Sequence, residues 1–228
     1  EVVPGEKQIE LQKVLVGLSQ VELSQRDFAA ARASLERAQT ILSENRETAS
    51  EAAAAIENAL ANISMLEEKY GEARAHAERL LEIEQQLPYG PAQLVPAHVL
   101  LGRALEQLDE FDRAEATLRR AVEIAESNNG PLQRNHLAAL TQLTNLLNSR
   151  GKPREALPFA TSALEVAETE LGPEAPTLVK VLDTLAGVHL ALGELPPALT
   201  YYQRADSIVM THRDDVQKQI LVQHYRGL

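Results

Sequence analysis

Cysteine and tryptophan are both absent from the 228 residues, and aromatic residues make up only 4%. Without cysteine there is no disulfide, no thiolate metal site and no cysteine nucleophile. No apolar run reaches the ~18 residues that a membrane-spanning helix needs, and no signal-peptide pattern opens the chain, so membrane insertion is not expected. Basic residues are in deficit: 22 Lys and Arg stand against 33 Asp and Glu, a net charge of −11. A nucleic-acid footprint requires a basic stripe, so no nucleic-acid partner is expected. The alternating Val/Ile/Tyr runs of half-buried strands are missing as well. Alanine and leucine dominate instead, and both are strong helix formers. The expectation is an all-α protein.

Catalytic patterns are also missing. The six histidines, His76, His98, His136, His189, His212 and His224, show no H-E-x-x-H or other metal spacing, and read as helix-surface or interface residues. No phosphate-binding glycine loop, dinucleotide fingerprint or G-x-S-x-G elbow occurs. No catalytic residue, metal or cofactor is assigned, and the chain is not expected to be an enzyme. Acidic pairs such as Glu67 and Glu68 read as solvated surface. The lack of cysteine fits a reducing compartment, so a cytoplasmic location is expected.

What is present is a repeat. In "QRDFAAARASLERA", "EKYGEARAHAERL", "DEFDRAEATLRRA", "RGKPREALPFATSA" and "LGELPPALTYYQRA", an alanine follows a short turn: Ala31, Ala73, Ala114, Ala156 and Ala198, at intervals of 42, 41, 42 and 42. Seven residues on stand Ala38, Leu80, Ala121, Ala163 and Ala205. Upstream lies a large-then-small pair: Leu18-Ser19, Leu60-Ala61, Leu101-Gly102, Leu143-Thr144 and Leu185-Ala186. Residues three, four and seven apart share one helix face. Each unit therefore reads as two antiparallel helices, with small residues where helices come close. One hairpin cannot bury its face alone, whereas stacked hairpins can.

This pattern resembles the tetratricopeptide repeat. That family's usual unit is about 34 residues, and the longer one here resembles the repeats of kinesin light chains and of many bacterial signalling proteins. "LEVAETELGPEAPTLVKVLDTLAGVHLALGELPPAL", residues 164–199, is the nearest stretch. The first helices depart from the light-chain type at "LTQLTNLLNSRG" and "LDTLAGVHLALG", so the architecture carries over and the cargo does not. The resemblance implies a right-handed α-α superhelix, one array over 1–228. Its five helix-turn-helix repeats would lie near 7–44, 48–88, 93–128, 132–171 and 174–211, followed by a capping helix at 213–227. "SENRE", "LPYGP", "NNGP" and "LGPEAP" read as turns rather than domain linkers.

In the repeats this chain resembles, the first helices line a concave groove. Repeat-equivalent positions there form three columns: Gln20, Asn62, Arg103, Asn145 and Gly187; Val16, Asn58, Val99, Thr141 and Asp183; Leu23, Met65, Glu106, Asn148 and Leu190. The candidate binding residues are Gln20, Asn58, Asn62, Arg103, Glu106, Gln142, Asn145, Asn148, Lys180 and Asp183. Asparagine is a mediocre helix-interior residue, and amides there could hydrogen-bond the backbone of an extended peptide. The expected function is a non-catalytic interaction module holding a peptide or protein partner, with self-association through the exposed ends of the array as a further route. The alternative is a sensor region that controls an attached effector such as a CHAT-type peptidase, kinase or transcription regulator. "THRDDVQKQIL" resembles the segment that follows such repeats in CHAT-type proteins.

Overall fold

A computed structural model of the chain describes residues 4–45, 50–88, 90–127 and 133–226. Among them there are ten α-helices and no strand. The helices are α1 (Pro4–Ser24), α2 (Phe28–Glu44), α3 (Glu51–Leu66), α4 (Tyr70–Glu84), α5 (Val95–Gln107), α6 (Phe111–Ser127), α7 (Gln133–Ser149), α8 (Pro153–Leu171), α9 (Leu178–Ala191) and α10 (Leu195–Arg226). The chain forms two compact units, Glu1–Asn128 with α1–α6 and Asn129–Leu228 with α7–α10. The boundary falls in "NNGP", which the sequence reading took for a turn within one array; those four residues lie outside the described part.

Local chemistry sets the helix ends. Asp27 Oδ1 accepts the Ala30 N–H at 3.0 Å to open α2, and Ser50 Oγ accepts the Ala53 N–H at 3.2 Å to open α3. Each satisfies a donor that the first turn cannot pair internally. All five hairpins then close with one turn. A single residue takes left-handed φ: Arg26 at 61°, Glu68 at 60°, Asp109 at 60°, Gly151 at 72° and Gly193 at 78°. The next residue's N–H reaches back to the fifth carbonyl before it: Asp27 to Glu22, Lys69 to Ser64, Glu110 to Leu105, Lys152 to Leu147 and Glu194 to His189, at 2.8–2.9 Å. This is the Schellman ending, which pairs carbonyls that a helix end leaves open.

The repeat alanines lie at the centre of each hairpin. Ala31, Ala73, Ala114 and Ala156 are fully buried, and Ala198 nearly so. In the first unit α2 and α3 share a core of Leu35, Ala38, Ile41 and Leu42 against Ile56, Leu60 and Ile63. The first helices α1, α3 and α5 touch one another in sequence, whereas α2, α4 and α6 do not. The first-helix rank is therefore the inner, concave side of that unit. In the second unit α7 touches α9 and α8 does not touch α10, so the same side is inner there.

Three boundaries differ from expectation. α5 begins at Val95, after a 3-10 turn over Pro91–Leu94, and α9 begins at Leu178, because Pro173 and Pro176 hold the preceding segment out of the helix. The expected separate helix over 213–227 is not formed. α10 runs unbroken to Arg226, since no glycine or proline stands between Pro197 and Gly227 to end it. Among the described residues no later segment folds back over α10, and Leu195, Leu199 and Tyr202 are exposed.

Candidate functional site

In the first unit the inner rank carries Gln20 on α1, Asn58 and Asn62 on α3, and Arg103 and Glu106 on α5. Gln20, Asn58, Asn62 and Arg103 are exposed and Glu106 is half-buried. Gln20 and Arg103 make no side-chain hydrogen bond among the described residues. Asn58 and Asn62 are joined: Asn62 Nδ2 donates to the Asn58 carbonyl at 2.8 Å and to Asn58 Oδ1 at 3.2 Å. This back-bond to the fourth preceding carbonyl gives Asn62 a local reason to sit mid-helix. Asn62 Oδ1 and Asn58 Nδ2 make no hydrogen bond among the described residues.

In the second unit Lys180 and Asp183 on α9 are exposed, and Gln142, Asn145 and Asn148 on α7 are half-buried. Asn148 packs toward α9: a Cβ built on Gly187 would lie 4.0 Å from its Nδ2. Its Oδ1 is shut off from solvent and has no hydrogen-bond donor. A buried acceptor without a donor costs about 1–3 kcal/mol, so it is a place where an incoming N–H would be rewarded.

Sequence reasoning missed a polar cluster in the first unit. Glu57 on α3 has a side chain only 5% exposed. Its Oε1 accepts from Gln39 Nε2 at 2.7 Å and its Oε2 from His76 Nδ1 at 2.7 Å, while Arg79 stands 3.9 Å away. One carboxylate thus ties α2 and α4 to α3. Beside it lies a cavity of about 560 Å³, walled by Leu42, Ala53, Ile56, Arg79 and Ile83. A signal for this cluster exists in the sequence: Glu57 and His98 occupy a column otherwise filled by Leu15, Leu140 and Leu182.

Glu67, read as solvated surface, is instead paired. Arg32 Nη2 donates to Glu67 Oε2 at 2.6 Å and to Ser64 Oγ at 3.1 Å, and Arg32 Nη1 lies 3.1 Å from Glu72. The Arg32 hydrogen bond holds the Glu67 carboxyl below its usual range, against the opposing effect of burial. Arg74, one repeat on, meets Glu110 at 2.5 Å. Each arginine bridges its own hairpin to the turn of the next. Two further groups are perturbed. Burial pushes the half-buried Glu84 carboxyl up to about 7, and its Oε2 has no partner. Burial, with the charge of Arg120, lowers His98. No group of three or more His, Cys, Asp or Glu able to hold a metal occurs among the described residues, and none of their helices is long and apolar enough to cross a membrane.

Solved structures share this arrangement. The kinesin light chain TPR-like repeats of Podosopora anserina superpose with a TM-score of 0.71 at 18% identity, over 88% of this chain and 95% of that one. The apo form of RapI gives 0.77 at 18% identity, over 89% and 72%. Aspartyl phosphate phosphatase F from Bacillus subtilis gives 0.77 at 17% identity, over 91% of this chain and 53% of that one. At such identities the likeness is one of fold. No curated protein compared with the chain matches it. The sequence pattern described as tetratricopeptide repeat matches residues 51–127, 93–169 and 135–205, overlapping windows that step along the interval found between the buried alanines. With helices, turns and that pattern in agreement, the chain belongs to the tetratricopeptide-repeat family, in its long, kinesin-light-chain-like form.

Proposed function

We propose that the chain is a non-catalytic interaction module whose inner first-helix faces hold a peptide or an extended segment of a protein partner. What supports this reading is that the first helices of each unit carry polar side chains left unmatched among the described residues: Gln20 and Arg103 in the first unit, and Asn145, Lys180 and Asp183, with the buried Asn148 Oδ1, in the second. Amide and guanidinium groups on the inner helices of a unit suit main-chain recognition, with specificity added by Arg103 in the first unit and by Lys180 and Asp183 in the second. The test is a triple variant, Asn62→Ala, Arg103→Ala and Asn145→Ala, assayed by titration against a partner recovered with the wild-type protein. Affinity should fall by about tenfold or more, the scale of one or two lost charge-assisted bonds, with the melting temperature unchanged. Equal affinity would move the site off the inner rank.

A second reading has its own support. RapI and phosphatase F extend well beyond the part that this chain matches, since it spans about half of the latter. In that reading the repeats regulate an attached effector domain. An open reading frame with a peptidase, kinase or DNA-binding domain joined to these repeats would favour it over a free-standing adaptor.

A further inference from the structure

The outer helices α2 and α4 of the first unit do not touch, so the cleft between them is floored by α3. Side chains close it at one end. Arg32 on α2 lies 3.1 Å from Glu72 on α4, and further along Gln39 and His76 meet on Glu57 at 2.7 Å each. Beyond that tie lies the cavity of about 560 Å³, within the ~300–1,000 Å³ of small-molecule sites. Leu42, Ala53, Ile56 and Ile83 give it an apolar wall, and the exposed Thr40, Ser43, Glu82 and Gln86 rim it. In the second unit α8 and α9 hold Leu164 and Leu182 at the positions of Gln39 and Glu57, both buried. An apolar pair stands there where a carboxylate and its donor stand here.

We infer that this cavity binds a small aliphatic amine, its ammonium group on Glu57 and its chain along Leu42, Ile56 and Ile83. The Glu57 side chain is only 5% exposed. Its two hydrogen bonds use two of a carboxylate's roughly four acceptor positions. Arg79 does not take the others, since at 3.9 Å it stands outside hydrogen-bond range. A donor entering the cavity would. Charge favours an ammonium over a neutral or anionic head. Among the lining residues two carboxylates, Glu57 and Glu82, stand against one guanidinium, Arg79. α2 and α4 both end at the cavity with no basic residue in the last turn, so the negative ends of two helix dipoles are left unanswered there. The positive end of α3 is already met by the Ser50 cap and by Glu51. Charge-assisted bonds inside an apolar enclosure are the strong ones.

The test is an amide NMR titration of the isotope-labelled chain with n-hexylamine, n-hexanol and hexanoate at neutral pH, three probes with similar apolar bodies and different heads. Hexylamine should give saturable shifts confined to the cavity, the side-chain amides of Gln39 and Gln86 among them. It should bind about tenfold or more tightly than hexanol or hexanoate. Glu57→Gln should weaken the amine by about tenfold or more. Ala53→Leu fills the cavity and leaves every charge in place; it should abolish binding with helicity unchanged, which keeps the test decisive where Glu57→Gln fails to fold. Arg79→Gln removes the competing cation and should tighten the amine by about threefold. No saturable shift up to ~50 mM amine overturns the inference. So does amine binding that survives Ala53→Leu or a folded Glu57→Gln, which is diffuse attraction to a chain of net charge −11. Hexanoate bound more tightly than hexylamine, and lost in Arg79→Gln, overturns it in favour of an anion site. Nα-acetyl-lysine methylamide bound more tightly than hexylamine overturns the free amine in favour of a lysine side chain on a protein partner. None of these readouts involves the inner-rank residues, so failure here leaves the peptide-binding proposal standing, and failure there leaves this one.

Discussion

Replacing Gly102 by alanine sets two effects of opposite sign against each other. In a helix interior alanine is preferred to glycine by about 1 kcal/mol. At this site, however, the new Cβ would lie 2.6 Å from Leu118 Cγ and 2.7 Å from its Cδ2, far inside the ~3.5–4.0 Å of an ordinary carbon contact. Leu118 is fully buried, so it can yield only by displacing packed neighbours. Overpacking of this sort costs about 1–3 kcal/mol, so Gly102→Ala should destabilise, by up to about 2 kcal/mol net of the helix gain. Leu118→Ala alone should cost about 2–5 kcal/mol through lost burial and the cavity it leaves.

The double variant is the decisive one. It places alanine against alanine, an arrangement the second hairpin already has at Ala61 and Ala77, both fully buried. The added methyl fills part of the cavity and brings its helix preference without a clash. The two changes together should therefore be less harmful than their sum, by about 1.5–3 kcal/mol. Urea unfolding followed by far-UV circular dichroism gives each term from the midpoint at constant slope. If the two units melt apart, the transition of the first unit is the one to read. Additivity within about 0.5 kcal/mol, or a Gly102→Ala protein more stable than wild type, would refute the claim that this close approach is what the glycine is for.

Other consequences are checked in the same unfolding experiment. Glu68 holds a left-handed φ of 60°, so Glu68→Gly should stabilise by about 0.5–1 kcal/mol after the greater freedom of the unfolded glycine is allowed for; Gly193→Ala, at the equivalent turn, should lose about 1–2 kcal/mol. Ala114→Leu would force a larger side chain into a position that is fully buried and should cost about 1–3 kcal/mol; an unchanged melting temperature would contradict the packing. Glu84 titrates near 7 in the folded chain against 4.5 when free. Between those values the folded protein holds the extra proton, so the stability tied to this group is complete below about pH 4.5 and gone above about pH 7. For a half-buried carboxyl the screened loss is about 1 kcal/mol. Glu84→Gln should remove that slope, and a pH profile identical to wild type would show that the carboxyl is not desolvated.

Much of the fold was readable because one structural unit is written five times. Ala114 and its equivalents mark where helices meet, and Gly102 beside Leu101 marks where they come nearest. Neither needs a coordinate to be found, because the same contact is encoded again at a fixed interval. The ion pairs were not readable. Arg32 and Glu67 are distant in sequence and both have long side chains, so their meeting depends on where the next hairpin's turn lands. The inner-rank asparagines show a different limit: the reason for Asn62 lies partly in a bond to its own helix, which composition cannot distinguish from a bond to a partner. The unbroken α10 shows a third, since a boundary borrowed from the repeat pattern was given to a segment that holds no helix-breaking residue. The informative positions are the departures from a column. Glu57 and His98 stand among leucines, and one proves to be a buried tie between three helices while the other is a depressed, half-buried base. Asp206 is no such departure, since its column holds Gln39 as well as Leu81, Val122 and Leu164. A repeat supplies its own controls, so a carboxylate such as Glu57, in a position that leucine fills elsewhere in the same chain, points to a partner inside the fold, here Gln39 and His76.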